Sequence, residues 1–308
     1  MSRSTYAIVA SLMTSMAMAE TVERSFEAAA GGRFVLDADW GHVEVETWDQ
    51  EIVDVVVEHA DKLELEFQRH DDAVTVHAER KGRSIARWFA KEDSPRFHVT
   101  VPRRFDLDLV TAGGNIHIPD LDGEANARTS GGKLKIDNVS GRIVGHTSGG
   151  SIHVESAGGP VKARTSGGSI RIGSSAGAVD ARTSGGSIRI GRAQGPTIAR
   201  TSGGSIELAS IAGSVEARTS GGSIKATVAG QPDGDSSLHT VGGSITFGLA
   251  EGVALDIDAR TTGGRVTAEL ANLESTRTDR STLFAVVNSG GPTMTLRTTG
   301  GSIRLLNR

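Results

Sequence analysis

Apolar and polar positions alternate in short runs along most of this 308-residue chain, and from residue 111 onward the runs recur at a fixed interval. In the segment 165–182, Ile170 and Ile172 flank Arg171, and the same alternation returns nine residues later. Alternation of this kind places neighbouring side chains on opposite faces of a β-strand. The segment therefore predicts two short strands, each with one apolar face.

A hexapeptide, Thr-Ser-Gly-Gly-Ser-Ile or a close variant, separates the strand pairs and occurs ten times. The first seven copies recur at every eighteenth position, and each of the next two steps is three positions longer. A fixed period in this range is typical of a solenoid, in which each repeat forms one coil stacked on the last. We therefore predict an all-β fold, a single-stranded β-helix or β-solenoid with about 18 residues and two main strands per coil. It is expected to be right-handed, because parallel crossover connections nearly always are. The copies begin at Thr111, Thr129, Thr147, Thr165, Thr183, Thr201, Thr219, Thr240, Thr261 and Thr298.

A three-sided left-handed helix of hexapeptides would also give a coil of this length. That fold needs an aliphatic residue at every sixth position, whereas the positions that follow Ile170 at this spacing are Ala176 and Arg182. The hexapeptide helix is therefore disfavoured.

The alternation also predicts that like residues stack on like residues in columns through a slim interior. We expect successive copies of the hexapeptide to lie directly above one another. Its two glycines are expected to adopt positive φ in a tight reversal, which glycine does without steric cost. The expected inward columns are Ile116, Leu134, Ile152, Ile170, Ile188, Ile206 and Ile224; Ile118, Ile136, Val154, Ile172, Ile190 and Leu208; Ile143, Val161, Val179 and Val215; and Ala127, Ala163, Ala181, Ala199 and Ala217.

Residues 1–19 have the features of a signal peptide. Arg3 supplies a positive charge, a short apolar stretch follows, and Ala17-Met18-Ala19 matches a small-residue cleavage pattern. The apolar stretch is too short and too polar for a membrane span. We expect an exported protein of the periplasm or cell surface, with no transmembrane span once the signal is removed.

Residues 20–110 alternate strongly but lack the repeat. They predict an irregular β region that continues into the solenoid and caps its open strand edges. Residues 111–308 are expected to form the regular solenoid, with a polar insertion near 271–283. Trp88-Phe89, among basic residues, predicts either a plug over the interior of the first coil or a contact with a membrane surface.

Composition narrows the functional classes. The chain has no cysteine, so disulfides and thiolate metal sites are excluded. The formal net charge of −4 becomes −5 when Arg3 is removed with the signal, and no nucleic-acid partner is expected. The histidines lack metal-binding spacing and the hexapeptide lacks the carboxylate of calcium-binding repeats, so we predict no metal and no cofactor.

The outward position before each threonine is basic in nearly every coil. We single out Arg164, Arg182, Arg200 and Arg218 as a strip that could bind an anionic surface polymer, because guanidinium groups suit phosphate and carboxylate. The alternative is a solvated face whose arginines are partly neutralised by carboxylates two residues earlier. The full set is Arg128, His146, Arg164, Arg182, Arg200, Arg218, His239, Arg260 and Arg297.

Four sequence features together resemble the bacterial "putative adhesin" β-strand-repeat family, a family of extracytoplasmic proteins built on a domain of unknown function. They are Gly31-Gly32-Arg33-Phe34, Gly41-His42-Val43-Glu44-Val45, Val99-Thr100-Val101-Pro102 and the serial hexapeptides. The resemblance covers essentially all of the mature chain. It implies a β-helical fold and an envelope or surface setting, and it supplies no catalytic residues.

Two functions remain open. The first is a non-enzymatic structural or adhesin-like binding protein of the bacterial envelope, with an envelope polysaccharide or another surface protein as partner and with end-to-end self-association possible. The second is a carbohydrate-active enzyme, a polysaccharide lyase or hydrolase, on a β-helix scaffold. Such an enzyme needs clustered charged groups in a groove walled by long loops.

Overall fold

The computed structural model describes residues 20–81 and 94–308. The expected signal peptide, residues 1–19, and the Trp88-Phe89 segment lie outside the described residues. Within the described ranges the chain forms 29 β-strands and a single 3-10 turn at Ala60–Lys62.

The strands lie in chain order as follows. The N-terminal part contains β1 Val22–Glu27, β2 Arg33–Ala38, β3 His42–Trp48, β4 Ile52–Glu58, β5 Leu63–His70, β6 Ala73–Arg80, β7 Arg96–Pro102 and β8 Asp106–Thr111. The central part contains β9 Ile116–Ile118, β10 Ala125–Thr129, β11 Leu134–Val139, β12 Ile143–His146, β13 Ile152–Ala157, β14 Val161–Arg164, β15 Ile170–Ser175, β16 Val179–Arg182, β17 Ile188–Ala193, β18 Thr197–Arg200, β19 Ile206–Ile211, β20 Val215–Thr219 and β21 Ile224–Val228. The C-terminal part contains β22 Ser236–Thr240, β23 Ile245–Leu249, β24 Leu255–Thr261, β25 Val266–Glu269, β26 Leu273–Thr278, β27 Thr282–Val287, β28 Thr293–Thr298 and β29 Ile303–Asn307.

These strands form two sheets that face each other across the interior. Sheet A has the spatial order β1-β4-β7-β3-β9-β11-β13-β15-β17-β19-β21-β23-β29-β25, and sheet B has the order β26-β27-β24-β28-β22-β20-β18-β16-β14-β12-β10-β8-β2-β6-β5. From β8 to β23, each coil gives one strand to each sheet, and neighbouring coils pair in parallel. Ile170 pairs with Ile188, and Val161 with Val179, so each coil here advances by one repeat of the sequence. The β-solenoid with two main strands per coil is confirmed, and its right-handed winding stays a prediction.

The inward columns predicted from the alternation are buried between the two sheets. The sequence analysis did not predict one further buried column. In β15, Ile170 and Ile172 are buried at alternate positions, and the next buried side chain, Ser175, comes three residues later. The last side chain of the strand therefore points inward just before the short connection to β16. The members of this column are Val139, Ala157, Ser175, Ala193, Ile211, Val228 and Leu249.

The threonine of each hexapeptide is also buried, and its hydroxyl joins adjacent coils. In one coil, Thr183 Oγ1 donates to the carbonyl oxygen of Gly168 at 2.8 Å and accepts the backbone N–H of Gly186 at 3.3 Å. Polar groups taken out of water need such partners. The same donated bond recurs at Thr129, Thr147, Thr165, Thr201, Thr219, Thr240, Thr261 and Thr298.

The expected reason for the glycine pairs was wrong. Among the described glycines, positive φ occurs only at Gly31, Gly41, Gly252 and Gly290, none of which belongs to a hexapeptide. The hexapeptide glycines are required by close approach between coils instead. A Cβ at Gly186 would lie 2.0 Å from the carbonyl oxygen of its counterpart one coil earlier.

The expectation that all hexapeptides stack in sequence order was also wrong, because the order is exchanged at the C-terminal end. The last strands, β28 and β29, lie between the β22/β23 coil and the β24/β25 coil. The motif at Thr298 therefore follows that at Thr240, and the motif at Thr261 is outermost. The β26–β27 hairpin lies outside this coil: β27 pairs antiparallel with the outer edge of β24 and covers it.

The N-terminal end has a matching arrangement. The first coil, β2/β3, lies between the β8/β9 coil and an outer coil formed by β6/β7. Antiparallel strands cover the outer coil: β5 pairs with β6, β4 pairs with β7, and β1 pairs with β4. At both ends, therefore, the first or last coil of the chain lies one coil inside the stack.

Candidate functional site

The four arginines predicted as a strip lie together on the outer face of sheet B. Arg164, Arg182, Arg200 and Arg218 occupy one register position on β14, β16, β18 and β20. Coils paired in this way are about 4.8 Å apart. The alanine before and the threonine after each arginine point inward, so each guanidinium group points outward. We call these four residues the arginine column.

The column continues in both directions through other basic or titratable side chains at the same register position. On one side, His146 and Arg128 follow Arg164. On the other, the exchanged coil order brings Arg297 next to His239 and places Arg260 beyond it. If the coils were stacked in sequence order, Arg260 would lie between His239 and Arg297.

Two carboxylates on the neighbouring outward positions pair with the arginine column. Asp180 contacts Arg164 Nη2 at 3.2 Å and Arg182 Nε at 2.7 Å. Glu216 contacts Arg200 Nη2 at 2.6 Å and Arg218 Nε at 2.9 Å. Each carboxylate therefore serves two guanidinium groups, and the column keeps an excess of positive charge.

The ion pairs leave donors unused. Each arginine commits one nitrogen to its carboxylate, and the Nε atoms of Arg164 and Arg200 are buried without an acceptor in the described part of the chain. The four side chains remain between 38% and 59% exposed. A guanidinium group carries several N–H donors in a fixed planar fork, so these side chains can still bind a carboxylate or phosphate.

A polar cavity of about 200 Å³ opens on the same face, at the end of the strip where Arg128 lies. Sequence analysis missed it, because four of its ten lining residues come from β2 and β8, which precede the regular repeats. Only the sheet order, which sets β2 beside β8, could have shown that these residues meet. The cavity is lined by Arg33, Asp106, Leu107, Asp108, Glu124, Ala125, Asn126, Arg128, Arg142 and Val144.

The opposite face, on sheet A, also carries ion pairs, some of them separate and some shared. Arg189 Nε contacts Glu207 at 2.7 Å, and His153 Nε2 contacts Glu155 at 3.2 Å. Asp137 lies between His117 and Lys135. Burial raises the pKa of Asp137, but hydrogen bonds from these two partners outweigh burial and hold the pKa below its usual value.

Residues 20–81 and 94–308 contain no group of three or more His, Asp or Glu side chains placed to hold a metal ion. No helix in them has the length and apolar character needed to cross a membrane.

The match to a family model shows which family the chain belongs to. A model of the family described as Toastrack DUF4097 matches residues 34–306. No curated protein matches the chain.

Similar solved structures include a "putative adhesin" from Bacteroides fragilis, 12% identical, which covers 94% of this chain and 97% of its own at a TM-score of 0.35. A "putative adhesin" from Parabacteroides distasonis is 13% identical, with 93% and 97% covered and a TM-score of 0.42. A "putative lipid binding protein" from Parabacteroides distasonis is 14% identical, with 93% and 96% covered and a TM-score of 0.39.

Proposed function

The chain belongs to the Toastrack DUF4097 family, and on this fold we propose that it is a non-enzymatic, exported rod of the bacterial envelope that holds an anionic surface polymer along the arginine column. The observation that carries the proposal is the repetition of one arginine at one outward position on four consecutive coils. A polymer with regularly placed carboxylate or phosphate groups can contact several of these arginines at once. Linked weak contacts of this kind give an overall affinity well above that of one contact.

The electrostatics of the column support this function. Like charges about 4.8 Å apart repel by roughly 0.9 kcal/mol per pair in water before screening by salt. Asp180 and Glu216 offset only part of this repulsion, since two carboxylates face four guanidinium groups. A polyanion on the column offsets the remainder.

The geometry of the coils favours binding over catalysis. In a typical coil, three residues join β15 to β16 and five residues join β16 to β17. Such short connections build no walls around the outer face of sheet B. The two carboxylates beside the arginine column, Asp180 and Glu216, are held in ion pairs, whereas a glycosidase needs two free carboxyl groups on either side of the scissile bond.

The test compares two fourfold variants that change the charge equally. In the first, Arg164, Arg182, Arg200 and Arg218 are replaced by Gln; in the control, Lys135, Arg171, Arg189 and Lys225 on sheet A are replaced by Gln. Retention on immobilised lipopolysaccharide and on polygalacturonate is measured at several salt concentrations. We expect the first variant to lose at least tenfold in affinity and the control to lose much less.

Equal losses in both variants would mean that net charge alone governs retention, and unchanged retention of the first variant at low salt would end the proposal. Release of reducing ends from either polymer by the wild-type protein would instead favour the enzyme.

A further inference from the structure

The four arginines of the column are not equivalent, because their carboxylate partners occupy different nitrogens. Arg182 and Arg218 contact Asp180 and Glu216 through Nε, at 2.7 and 2.9 Å. Their terminal nitrogens, Nη1 and Nη2, make no ion pair or hydrogen bond with any residue that the structure describes. These two nitrogens form the planar fork that binds a carboxylate or phosphate with two parallel hydrogen bonds.

Arg164 and Arg200 have part of this fork engaged. Each donates from Nη2 to the carboxylate of the next coil, at 3.2 Å in Arg164 and at 2.6 Å in Arg200. Their Nε atoms are buried and so are out of reach of a ligand. A fully free fork therefore occurs on every second coil of this stretch, at Arg182 and at Arg218, and the two forks are about 9.6 Å apart.

This two-coil step ends on both sides of the arginine column. Toward the C-terminal end of the stack, Arg260 contacts Asp258 through Nε and Nη2, at 3.1 and 3.4 Å, and lies over the ring of Phe284. Toward the other end, Arg128 has no partner among the described residues but lies three coils from Arg182. The alternation thus defines one site that spans β14 to β20.

An apolar side chain lies between the two free forks. Ile198 is half-buried and takes the outward position that Asp180 and Glu216 take on the neighbouring coils. An aliphatic side chain gives an anion no partner. It can instead pack against the C–H face of an uncharged sugar ring, since removal of apolar surface from water is favourable.

Exposed hydroxyl groups follow the arginines at the ends of these strands. Ser184 comes two residues after Arg182, and Ser202 comes two residues after Arg200. Neither hydroxyl makes a hydrogen bond with a described residue. A serine hydroxyl can both donate and accept, as sugar hydroxyls do, whereas the charged oxygens of a polyphosphate only accept. Charged, apolar and hydroxyl groups side by side favour an acidic glycan over a polyphosphate.

We propose that the column binds an acidic glycan with one anionic group per disaccharide. The acidic sugars pair with the forks of Arg182 and Arg218, and the uncharged sugar between them packs on Ile198. This inference rests on the proposed function and names the class of polymer. A glycan charged on every sugar would place an anion beside Ile198 and Arg200, where the fork is partly engaged and the neighbouring side chain is apolar.

The test compares two glycans on the full-length protein by calorimetric titration. Hyaluronan carries one carboxylate per disaccharide, and oligogalacturonate carries one on every sugar. Oligosaccharides with equal numbers of sugars are used. We expect hyaluronan to bind several times more tightly at moderate salt, although it has half the charge, because its carboxylates match the spacing of the free forks.

Substitutions that keep the charge separate recognition by the forks from attraction by charge. Arg182→Lys and Arg218→Lys should each lower the affinity for hyaluronan about fivefold or more, because lysine has no planar fork. Arg200→Lys should lower it less, by about twofold. Ile198→Thr keeps a β-branched side chain and should also weaken binding of hyaluronan. Its control is Val144→Thr, at the same outward position but outside the site, which should leave the affinity unchanged.

All these variants should melt like the wild type, since the substituted side chains point outward. If oligogalacturonate binds as tightly as hyaluronan, or if the three lysine variants lose equal affinity, the column recognises charge alone: this inference fails and the proposed function stands. Equal losses in Ile198→Thr and Val144→Thr would contradict the packing of a sugar on Ile198. If hyaluronan, polygalacturonate and lipopolysaccharide all fail to bind the wild-type protein, the inference and the proposed function both fail.

Discussion

At the second glycine of each hexapeptide, the backbone of one coil touches the backbone of the next. A Cβ at this position would lie between 1.9 and 2.2 Å from a carbonyl oxygen at Gly150, Gly168, Gly186, Gly204 and Gly222. Backbone atoms cannot move aside as a flexible side chain can. The first glycine of each pair is less confined, since a Cβ at Gly185 would lie 3.3 Å from its nearest neighbour.

Substitution of the two glycines of one pair should therefore have unequal effects. We expect Gly186→Ala to lower the free energy of unfolding by about 1–3 kcal/mol, the usual range for overpacking. Gly185→Ala, the matched control, should change it by no more than about 0.5 kcal/mol, as at an ordinary surface position. Urea denaturation of the two variants measures the difference, and equal effects would contradict the close-approach explanation.

The sequence predicted that glycine is needed in these pairs but suggested the wrong cause. A local pattern such as Thr-Ser-Gly-Gly is the same whether the chain must turn with positive φ or must leave room for another strand. The second requirement depends on atoms of the preceding coil, so a single repeat cannot show it. By contrast, the burial of Ile170 and Ile172 was correctly predicted, because period-two alternation is itself a local property.

The net charge of the arginine column depends on which residues point outward on its four strands. Each of these strands has two outward positions on sheet B, one occupied by arginine and one by a variable residue. The variable residue is Lys162, Asp180, Ile198 and Glu216 on β14, β16, β18 and β20. A carboxylate thus occurs in every second coil of this stretch, which leaves the column half neutralised.

Removal of those carboxylates should strengthen binding of a polyanion. We expect the double variant Asp180→Asn, Glu216→Gln to bind polygalacturonate several times more tightly and with a steeper dependence on salt, because two more guanidinium charges become unopposed. The control Glu155→Gln, Glu207→Gln makes the same change of charge on sheet A. Surface plasmon resonance at two salt concentrations distinguishes them. If the two variants bind alike, the column has no special part in recognition.

Strand-level features that the sequence did not reveal share one physical cause, which is pairing between distant segments. The additional buried column through Ser175 lies after a three-residue step in β15, and the same step recurs in the strands that pair with it on either side. The cavity at Asn126 depends on β2 lying beside β8, although the strands from β3 to β7 come between the two in the chain. Alternation within a strand predicts which face is inward but not which strand is its neighbour.

At the scale of the whole molecule, the regular coils and the end coils have different roles in stability. A central coil contacts one coil on each side, and its neighbours have the same shape as itself. Stability in such a stack is approximately the sum of coil terms and nearest-neighbour terms. The β28/β29 coil instead joins the body of the solenoid to the outer coil with its antiparallel hairpin.

Two deletions of equal length, each the size of one regular repeat, should therefore differ. Deletion of residues 183–200 removes one complete central coil and rejoins two neighbours that have the same repeat length and strand arrangement, so we expect a cooperative fold with a melting temperature only a few degrees lower. Deletion of residues 291–308 removes β28 and β29 and should cause a much larger decrease, with new proteolytic cleavage between residues 250 and 290. Equal melting temperatures and equal protease resistance would show that the inserted coil has no special function at the end of the stack.

The placement of both terminal coils one step inside the stack also constrains how this gene can change in length. The five identical copies of Thr-Ser-Gly-Gly-Ser-Ile, which begin at Thr147, Thr165, Thr183, Thr201 and Thr219, all lie in the middle, and the copies nearer the ends differ. Insertion or deletion of one 18-residue repeat in this stretch would add or remove a whole coil without disturbing either cap. The length of the protein along the stacking axis can therefore change between homologues in increments of about 4.8 Å, while the structure of both ends stays the same.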